Sequence, residues 1–328
     1  NSRLHQVTPW SNDPVQDQTH EHFLLQDVDS AHLLQLVPVS DISTPGSSGA
    51  GHRVRHGQGY TVFECEHEHM SMQTTFFADL TDTVKLVHVQ LRNGGTEARS
   101  LRALAMTEWQ MGSAHAERRT LQTWSPGGLP VVMAQQRESR AGFGGSTAVI
   151  AVAGMQGLVQ WTCDRSEFFD DAGRLCLPNT LGQRYGGGLD PCGAIASSFT
   201  VSAGDIVSFS FILGHAPDAA QAEKLAAVWL RRDMPEALES AKDFWNDLLG
   251  SIQTRTPDPL FDALVNRWLL YQTLTSRLWS KAGFYQAGGA FGFRDQLQDS
   301  MAFAIVAPQR LRDQILLNAS RQFAEGDV

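Results

Sequence analysis

The sequence predicts a multi-domain chain with a β-rich first part and a helical second part. All 11 histidines lie between His5 and His215, and only six of the 29 glycines follow Ala216. Strand-like segments separated by turn residues fill the first part, whereas Ala, Leu, Glu and Lys recur with helical spacing in the second. Such a break in composition marks a domain boundary.

Three regions follow from this pattern. Residues 1–215 hold more strands than an immunoglobulin-sized domain, so they predict a larger two-sheet β-supersandwich. Residues 216–258 predict a helical linker. Residues 259–328 predict the first helices of an (α/α)6 barrel, which we expect to be truncated because the segment is too short for a full barrel.

The strands are predicted from alternation and from β-branched or aromatic content. Asn93, Gly94 and Gly95 predict a hairpin turn, and residues 202–205 predict another turn. The predicted strands cover residues 55–63, 65–72, 83–92, 100–109, 147–153, 158–163, 194–201 and 206–213.

The helices are predicted from apolar spacing. Residues 219–231 form the first, and residues 235–249 form the second, with Pro235 at its start. Apolar side chains from Leu260 to Leu278 predict one long helix, which the glycines of residues 281–293 interrupt. Another helix is expected to begin near Gln296, and the last covers residues 309–323.

The overall composition excludes several classes of protein. Asp and Glu number 35 against 26 Lys and Arg, a net charge of −9, which does not favour nucleic-acid binding. No apolar run is long enough to span a bilayer, so we expect no membrane insertion by this chain. The absence of a signal peptide and the spacing of the four cysteines predict a cytoplasmic protein with reduced thiols. No metal site and no cofactor are expected.

Residues 284–299 combine aromatic rings suited to sugar faces, glycines that admit a ligand, and an arginine beside two carboxylates. Asp295 and Asp299 are four residues apart, so both carboxylates share one helix face. The alternative interpretation is a helix cap at Asp295 with a buried Arg–Asp pair. The candidate substrate-binding residues are Phe291, Phe293, Arg294, Asp295 and Asp299.

Three other segments contain residues that could form either a site or a structural turn or sheet face. The opening segment holds Arg3, Trp10, Asn12 and Asp13, which predict either a rigid polar turn or a loop at the site. His67 and His69 would share a strand face and could chelate a metal, but no third ligand is near, and a polar sheet face is favoured. Residues 186–192 predict a turn between strands, since no phosphate-loop pattern follows.

The motifs resemble those of a known family. The sequence from Gly289 to Asp299 and residues 319–328 are similar to glycoside hydrolase family 94, the glycoside phosphorylases. Residues 1–15, 55–60 and 188–192 resemble more specifically the phosphorylase-like region of cyclic β-1,2-glucan synthases. These matches run from the first residues to the last.

The resemblance implies an architecture and a reaction. The fold would be a galactose-mutarotase-like supersandwich, a helical linker and an (α/α)6 barrel, with Arg294, Asp295 and Asp299 on the non-reducing side of the scissile bond. The loop from Arg3 to Asp13 would reach this site or that of a neighbouring subunit. The implied reaction is inverting phosphorolysis of a β-glucan, with β-1,2 linkages expected, inorganic phosphate as co-substrate and glucose 1-phosphate as product.

The resemblance also places the general acid beyond Val328, so no catalytic acid is assigned and the chain alone is expected to be inactive. Two alternatives stay open: a non-catalytic carbohydrate-binding module with Trp10, Trp109, Trp124 and Trp161 as platforms, or a glucoamylase-like glycoside hydrolase. Family members are often homodimers, and a homodimer is an open option here. Attachment of the chain to an inner-membrane-associated synthase is another open option.

Overall fold

The computed structural model describes residues 5–11, 17–38, 51–138, 142–155, 157–282 and 292–327. Residues 6–238 form one compact unit, and the second unit is built mainly from residues 239–328. The first unit is rich in β-strands and the second is helical. The predicted domain boundaries at residues 215/216 and 258/259 stay predictions.

The first unit contains two antiparallel sheets. Five strands form one sheet in the order β11-β12-β7-β1-β2, and eight form the other in the order β3-β4-β5-β6-β13-β10-β9-β8. The strands are β1 (Glu21–Asp27), β2 (Leu33–Gln35), β3 (Arg53–Gly57), β4 (Tyr60–His67), β5 (Met70–Ala78), β6 (Val84–Asn93), β7 (Arg99–Glu108), β8 (Leu121–Trp124), β9 (Val131–Gln136), β10 (Thr147–Ala153), β11 (Val159–Asp164), β12 (Pro191–Val201) and β13 (Ile206–Ala216).

The main core lies between the two sheets, where alternate residues of facing strands are buried. Leu25 and Ala103 come from the five-stranded sheet, whereas Val89, Ile150 and Phe211 come from the eight-stranded sheet, and all are at most 1% exposed. Burying side chains of this size contributes about 1.5–3 kcal/mol each. The sandwich is therefore held mainly by this shared apolar layer.

The outer faces of the sheets are partly covered as well. On the five-stranded sheet, Leu24 and Met106 pack with Phe168 and Leu181 from the connection between β11 and β12. On the eight-stranded sheet, helix α1 (Ala219–Trp229) packs against β10 and β13. These coverings explain why β10, with sequence TAVIAVA, is buried along its whole length.

The second unit consists of helices around a small aromatic core. After α2 (Met234–Gly250), a helical run over residues 259–279, called α3, alternates α-helical and π-helical turns. Helix α4 (Phe293–Asp299) continues as a 3-10 turn (Ser300–Phe303), and α5 (Pro308–Ala319) follows. The buried side chains of this core are Trp245, Leu249, Leu274 and Phe303.

The start of α3 is encoded locally. The Asp258 carboxylate accepts hydrogen bonds from the backbone N–H groups of Leu260 and Phe261, and Pro259 occupies the first turn. Two π-helical stretches follow, Leu264–Trp268 and Thr273–Trp279. The hydroxyl groups of Thr273 and Thr275 bond to carbonyl oxygens four residues earlier, which competes with regular helical bonding.

The helical prediction agrees closely with the structure, and the strand prediction was incomplete. The last helix ends at Ala319 rather than at residue 323. Four strands were missed: β1, β2, β8 and β9. The sequence of β1, EHFLLQD, carries apolar residues on both faces because both faces are covered, so it shows no alternation.

Two predicted strands were wrong because each contains a turn. Residues 55–63 span β3, a two-residue turn at Gln58 and Gly59, and the start of β4. Residues 65–72 span the β4–β5 hairpin, whose turn residues Glu68 and His69 have φ angles of 43° and 66°. Two consecutive left-handed residues are typical of a type I′ hairpin. The alternating pattern continued through the turn and concealed it.

The predicted hairpin at Asn93–Gly95 was also wrong. It connects β6 in the eight-stranded sheet to β7 in the five-stranded sheet, so the chain crosses between sheets there. The turn after β12 is a second connection that crosses between the sheets. Asn93 links the two connections, because its side chain donates to the carbonyl oxygens of Val201 (3.1 Å) and Glu97 (2.8 Å). In the described segments, no helix is both long and apolar enough to cross a membrane.

Candidate functional site

Helix α4 contains four of the predicted site residues, Phe293, Arg294, Asp295 and Asp299. Gly292 precedes it in an extended conformation, and the helix begins at Phe293. The Asn318 side chain, 1% exposed, donates to the carbonyl oxygen of Phe293 at 2.6 Å and is itself held by Gln314 at 2.7 Å. Helix α5 therefore fixes the start of α4, and with it the direction of the first turn.

Arg294 and Asp295 lie side by side in this first turn. Arg294 Nη1 is 3.0 Å from Asp295 Oδ1, and the two side chains are 80% and 58% exposed. The alternative interpretation of a cap with a buried Arg–Asp pair was wrong, since Gly292 occupies the cap position and the pair is exposed. An exposed guanidinium beside a carboxylate offers donors and acceptors to sugar hydroxyl groups.

Asp299, one helical turn after Asp295, is held by a residue that the sequence analysis missed. The Nε atom of Arg277, on α3, lies 2.5 Å from Asp299 Oδ2, and both side chains are about one-third exposed. Arg277 also donates to the carbonyl oxygen of Ala282. The only signal for this role in the sequence was an arginine just before the glycine-rich segment, which does not identify a partner.

An aromatic cluster lies beneath these helices. Trp245 on α2 packs edge-on against Tyr271 and Trp279 on α3, with ring centroids 4.7 and 5.6 Å away. Arg310, on α5, lies over the rings of Phe244 (5.3 Å) and Trp279 (6.0 Å). These contacts join α2, α3 and α5, and α4 packs against the end of α3 and against α5.

One face of α3 carries exposed apolar side chains. Leu260 is 81% exposed, Leu264 42% and Trp268 44%. All three side chains therefore remain accessible among the residues that the structure describes. A contiguous apolar face of this kind is typical of an interaction surface.

The predicted site residues fall into three groups according to where they lie. Phe291, Arg3, Asn12 and Asp13 lie outside the described residues. Trp10 belongs to the sandwich unit, where its backbone N–H donates to Gln6 Oε1 at 2.7 Å and its side chain is half-buried. Phe293, Arg294, Asp295 and Asp299 belong to the helical unit.

The histidine pair expected on one strand face does not form. His67 ends β4 and stacks on His32 with ring centroids 5.2 Å apart, whereas His69 lies in the hairpin turn. Within the part of the chain that the structure describes, no group of three or more His, Cys, Asp or Glu side chains is arranged to hold a metal ion.

Burial disfavours the reactive thiolate form at three of the four cysteines. All four are free thiols, and Cys65, Cys163 and Cys192 are buried. Burial raises the pKa of the Cys163 thiol to about 12 and raises that of Cys192 well above its usual value. Because the thiolate is the reactive form, these side chains are inert packing residues.

Two further expectations concern the sandwich. Residues 186–190 form a connection before β12, but Pro191 and Cys192, which were included in the predicted turn, belong to that strand. Gly186 exchanges backbone hydrogen bonds with Thr123. Trp109 is fully buried in the core, so its proposed role as a sugar platform was wrong. Trp124 and Trp161 are half-buried.

Family models match nearly the whole chain. Residues 1–232 match "Glycosyl hydrolase 94, supersandwich domain", and residues 244–328 match "Glycosyl hydrolase 94 superfamily, catalytic domain". The first match covers all thirteen strands, and the second includes α3, α4 and α5.

Similar proteins include a synthase and phosphorylases. The cyclic beta-(1,2)-glucan synthase NdvB of Rhizobium meliloti (strain 1021) is 35% identical over 336 residues, which cover 100% of this chain and 12% of that protein. The N,N'-diacetylchitobiose phosphorylase of Vibrio furnissii is 24% identical, covering 81% of this chain and 34% of its own length. The chain thus spans about an eighth of the first protein and a third of the second.

The fold is also found in solved structures of low sequence identity. A bacterial glucoamylase complexed with acarbose has a TM-score of 0.55 and 11% identity, over 95% of this chain and 46% of the glucoamylase. This likeness concerns the fold alone. From the two family models and the full-length similarity at 35% identity, the chain belongs to glycosyl hydrolase family 94.

Proposed function

We propose that this chain is part of the machinery of an inverting glycoside phosphorylase that acts on β-1,2-linked glucans. The observation that carries the proposal is the 35% identity along the whole chain to a cyclic beta-(1,2)-glucan synthase, together with the match of residues 244–328 to the catalytic-domain model. The relatives named as phosphorylases support the reaction class.

In the proposed mechanism, Arg294, Asp295 and Asp299 hold the sugar on the non-reducing side of the scissile bond. Asp295 and Asp299 each lie within 3.0 Å of a guanidinium nitrogen. Carboxylates held in this way accept hydrogen bonds from sugar hydroxyl groups, and Arg294 donates to them. These groups orient the glucosyl ring and do not transfer the proton.

The bond changes balance with phosphate as the second substrate. An oxygen of inorganic phosphate attacks the anomeric carbon while the bond from that carbon to the glycosidic oxygen breaks, and a general acid protonates the leaving oxygen. Inversion of a β-linkage gives α-glucose 1-phosphate and a shortened glucan. We assign the general acid to no residue of this chain, and we propose that the 328 residues alone are inactive.

The reaction is tested on the natural protein in which these 328 residues occur, supplied with β-1,2-glucooligosaccharide and phosphate. We expect α-glucose 1-phosphate, detected by phosphorus NMR. Absence of a sugar phosphate, or release of the β-anomer, contradicts the proposal. In the same assay, the 328-residue chain by itself is expected to give no product, and product from it would overturn the proposed inactivity.

A further inference from the structure

A polar cleft lies at one end of the five-stranded sheet, in the sandwich unit. Strands β7 and β11 end there, at Glu108 and Asp164, and their neighbours β1 and β12 begin there, at Glu21 and Pro191. Because neighbouring strands are antiparallel, these four termini meet at the same edge. The adjoining residues His20, Arg165 and Asp190 are thereby brought together with Glu108.

Two arginines and two carboxylates form a closed network in this cleft. Glu108 is 3.0 Å from Arg118 Nη1 and 2.8 Å from Arg165 Nε. Asp190 is 2.8 Å from Arg118 Nη2 and 3.2 Å from Arg165 Nη1. His20 Nδ1 lies 3.1 Å from the same Glu108 carboxylate. Each arginine therefore bridges both carboxylates, which fixes all four side chains.

The formal charges of the two arginines and the two carboxylates balance. Burial raises the pKa of Glu108, but contacts with His20, Arg165 and Arg118 outweigh it, and the net pKa is below the usual value. Glu108 is 3% exposed and Arg118 is 7% exposed. Two guanidinium groups thus face two carboxylates, and the four groups carry no net charge.

The rest of the cleft is lined mainly by polar side chains. Its volume is about 600 Å³, within the ~300–1,000 Å³ of small-molecule sites. Gln110 is buried and held by a hydrogen bond from its Nε2 to the carbonyl oxygen of Ala114 at 2.6 Å. The other lining residues outside the ionic network are Gln6, Pro9, Gln18, Ser113 and His115.

We infer that this cleft is a second binding site, specific for a neutral saccharide unit. An anionic ligand such as phosphate would need uncompensated positive charge, which the balanced network does not supply. A polyhydroxylated ring needs fixed donors and acceptors in several directions, and amides, carboxylates, an imidazole and guanidinium groups provide them. The inference goes beyond the proposed function.

The test isolates the cleft in the Arg294→Ala variant of the full chain. Sophorose is titrated by isothermal calorimetry into Arg294→Ala, into Arg294→Ala with Arg165→Gln, and into a control that combines Arg294→Ala with Arg174→Gln. Arg174 forms an exposed ion pair with Asp170 in the same unit. We expect the first and third proteins to bind one sophorose, and Arg165→Gln to weaken binding at least tenfold.

Near-ultraviolet circular dichroism shows whether Arg165→Gln disturbs folding. If it does, substitutions of exposed residues that line the cleft test whether the cleft binds sophorose. Gln18 and His115 are exposed lining residues outside the ionic network, so Gln18→Ala and His115→Ala are each expected to weaken binding about threefold or more without changing the spectrum. Any one of three results would overturn the inference. These are loss of all sophorose binding in Arg294→Ala, unchanged binding in the cleft variants, and displacement of sophorose by inorganic phosphate.

Discussion

The Nε atom of Arg277 lies 2.5 Å from Oδ2 of Asp299, and this contact joins the long helix α3 to the end of α4. The same guanidinium donates to the carbonyl oxygen of Ala282, near the start of the glycine-rich segment. One arginine therefore fixes both sides of the segment that separates the two helices. Arg277 acts through Asp299, and its proposed role is that of a positioning residue.

Replacing Arg277 tests this role. In the Arg165→Gln background, which weakens the sandwich cleft, we expect Arg277→Ala to weaken binding of a β-1,2-glucotriose about tenfold, because Asp299 loses the group that orients it. The stability change should be below about 1 kcal/mol, since the ion pair is one-third exposed. Calorimetric titration and urea denaturation measure the two quantities.

A graded series separates positioning from a general loss of charge. Arg277→Lys keeps the charge but not the planar fork, so it should restore only part of the affinity. Lys242→Ala removes an exposed ion pair with Glu239 on α2 and serves as the control. Equal affinities with and without the Arg277→Ala substitution would contradict the positioning role.

The second prediction concerns Asn93, which is 1% exposed and joins the two crossings between the sheets. Asn93→Ala leaves the carbonyl oxygens of Val201 and Glu97 without this donor and the Gly95 N–H without its acceptor. We expect a loss of about 1–3 kcal/mol in the free energy of unfolding, measured with urea. Asn179→Ala, at an exposed position, should change it little. Equal losses in both variants would argue against the role of Asn93.

The third prediction concerns Gly193 on β12. A Cβ atom there would lie 2.6 Å from Trp109 Cζ2 and 2.8 Å from Ile150 Cγ2, both in the packed core. Gly193→Ala should therefore destabilise the sandwich by about 1–3 kcal/mol through overpacking. A Cβ at Gly127 meets nothing within 4 Å, so Gly127→Ala is the control. A melting temperature for Gly193→Ala equal to that of the control would contradict the prediction, because it would show that the core accommodates the added methyl group.

The fourth prediction is a pH dependence centred on Glu108. Its pKa is lowered in the folded protein, so the unfolded chain binds more protons in acid, and the stabilisation by Glu108 is lost as pH falls below its ordinary value of 4.5. Glu108→Gln should cost more stability at pH 7 than at pH 3.5. Denaturation at both pH values measures this, with the exposed Glu223→Gln as control. A cost that is larger at pH 3.5 would reverse the assigned sign.

These residues also show which parts of the molecule the sequence could predict. The helices were predicted well because their signals are local, as in the cap formed by Asp258 and Pro259. The chemistry of Arg294, Asp295 and Asp299 was visible because the three lie within six residues of one another. The exposed pair at Arg294 and Asp295 required the structure, because burial is set by packing between helices.

The features that escaped prediction depend on contacts distant in sequence. Arg277 meets Asp299 across 22 residues, and Arg118 meets Asp190 across 72. Nothing in the local pattern of residues 186–192 distinguishes a plain turn from one wall of a cleft. Strand β1 was missed for a related reason, since the coverings that bury both of its faces come from distant segments.

One titration tests whether the first turn and the end of α4 hold a glucan. A β-1,2-glucotriose is titrated into the Arg165→Gln chain, in which the sandwich cleft is weakened, and into the same chain carrying either Asp299→Asn or both Arg294→Ala and Asp299→Asn. We expect measurable binding in the first protein, binding at least tenfold weaker in the second and no measurable binding in the third. Equal affinity in all three proteins would contradict it.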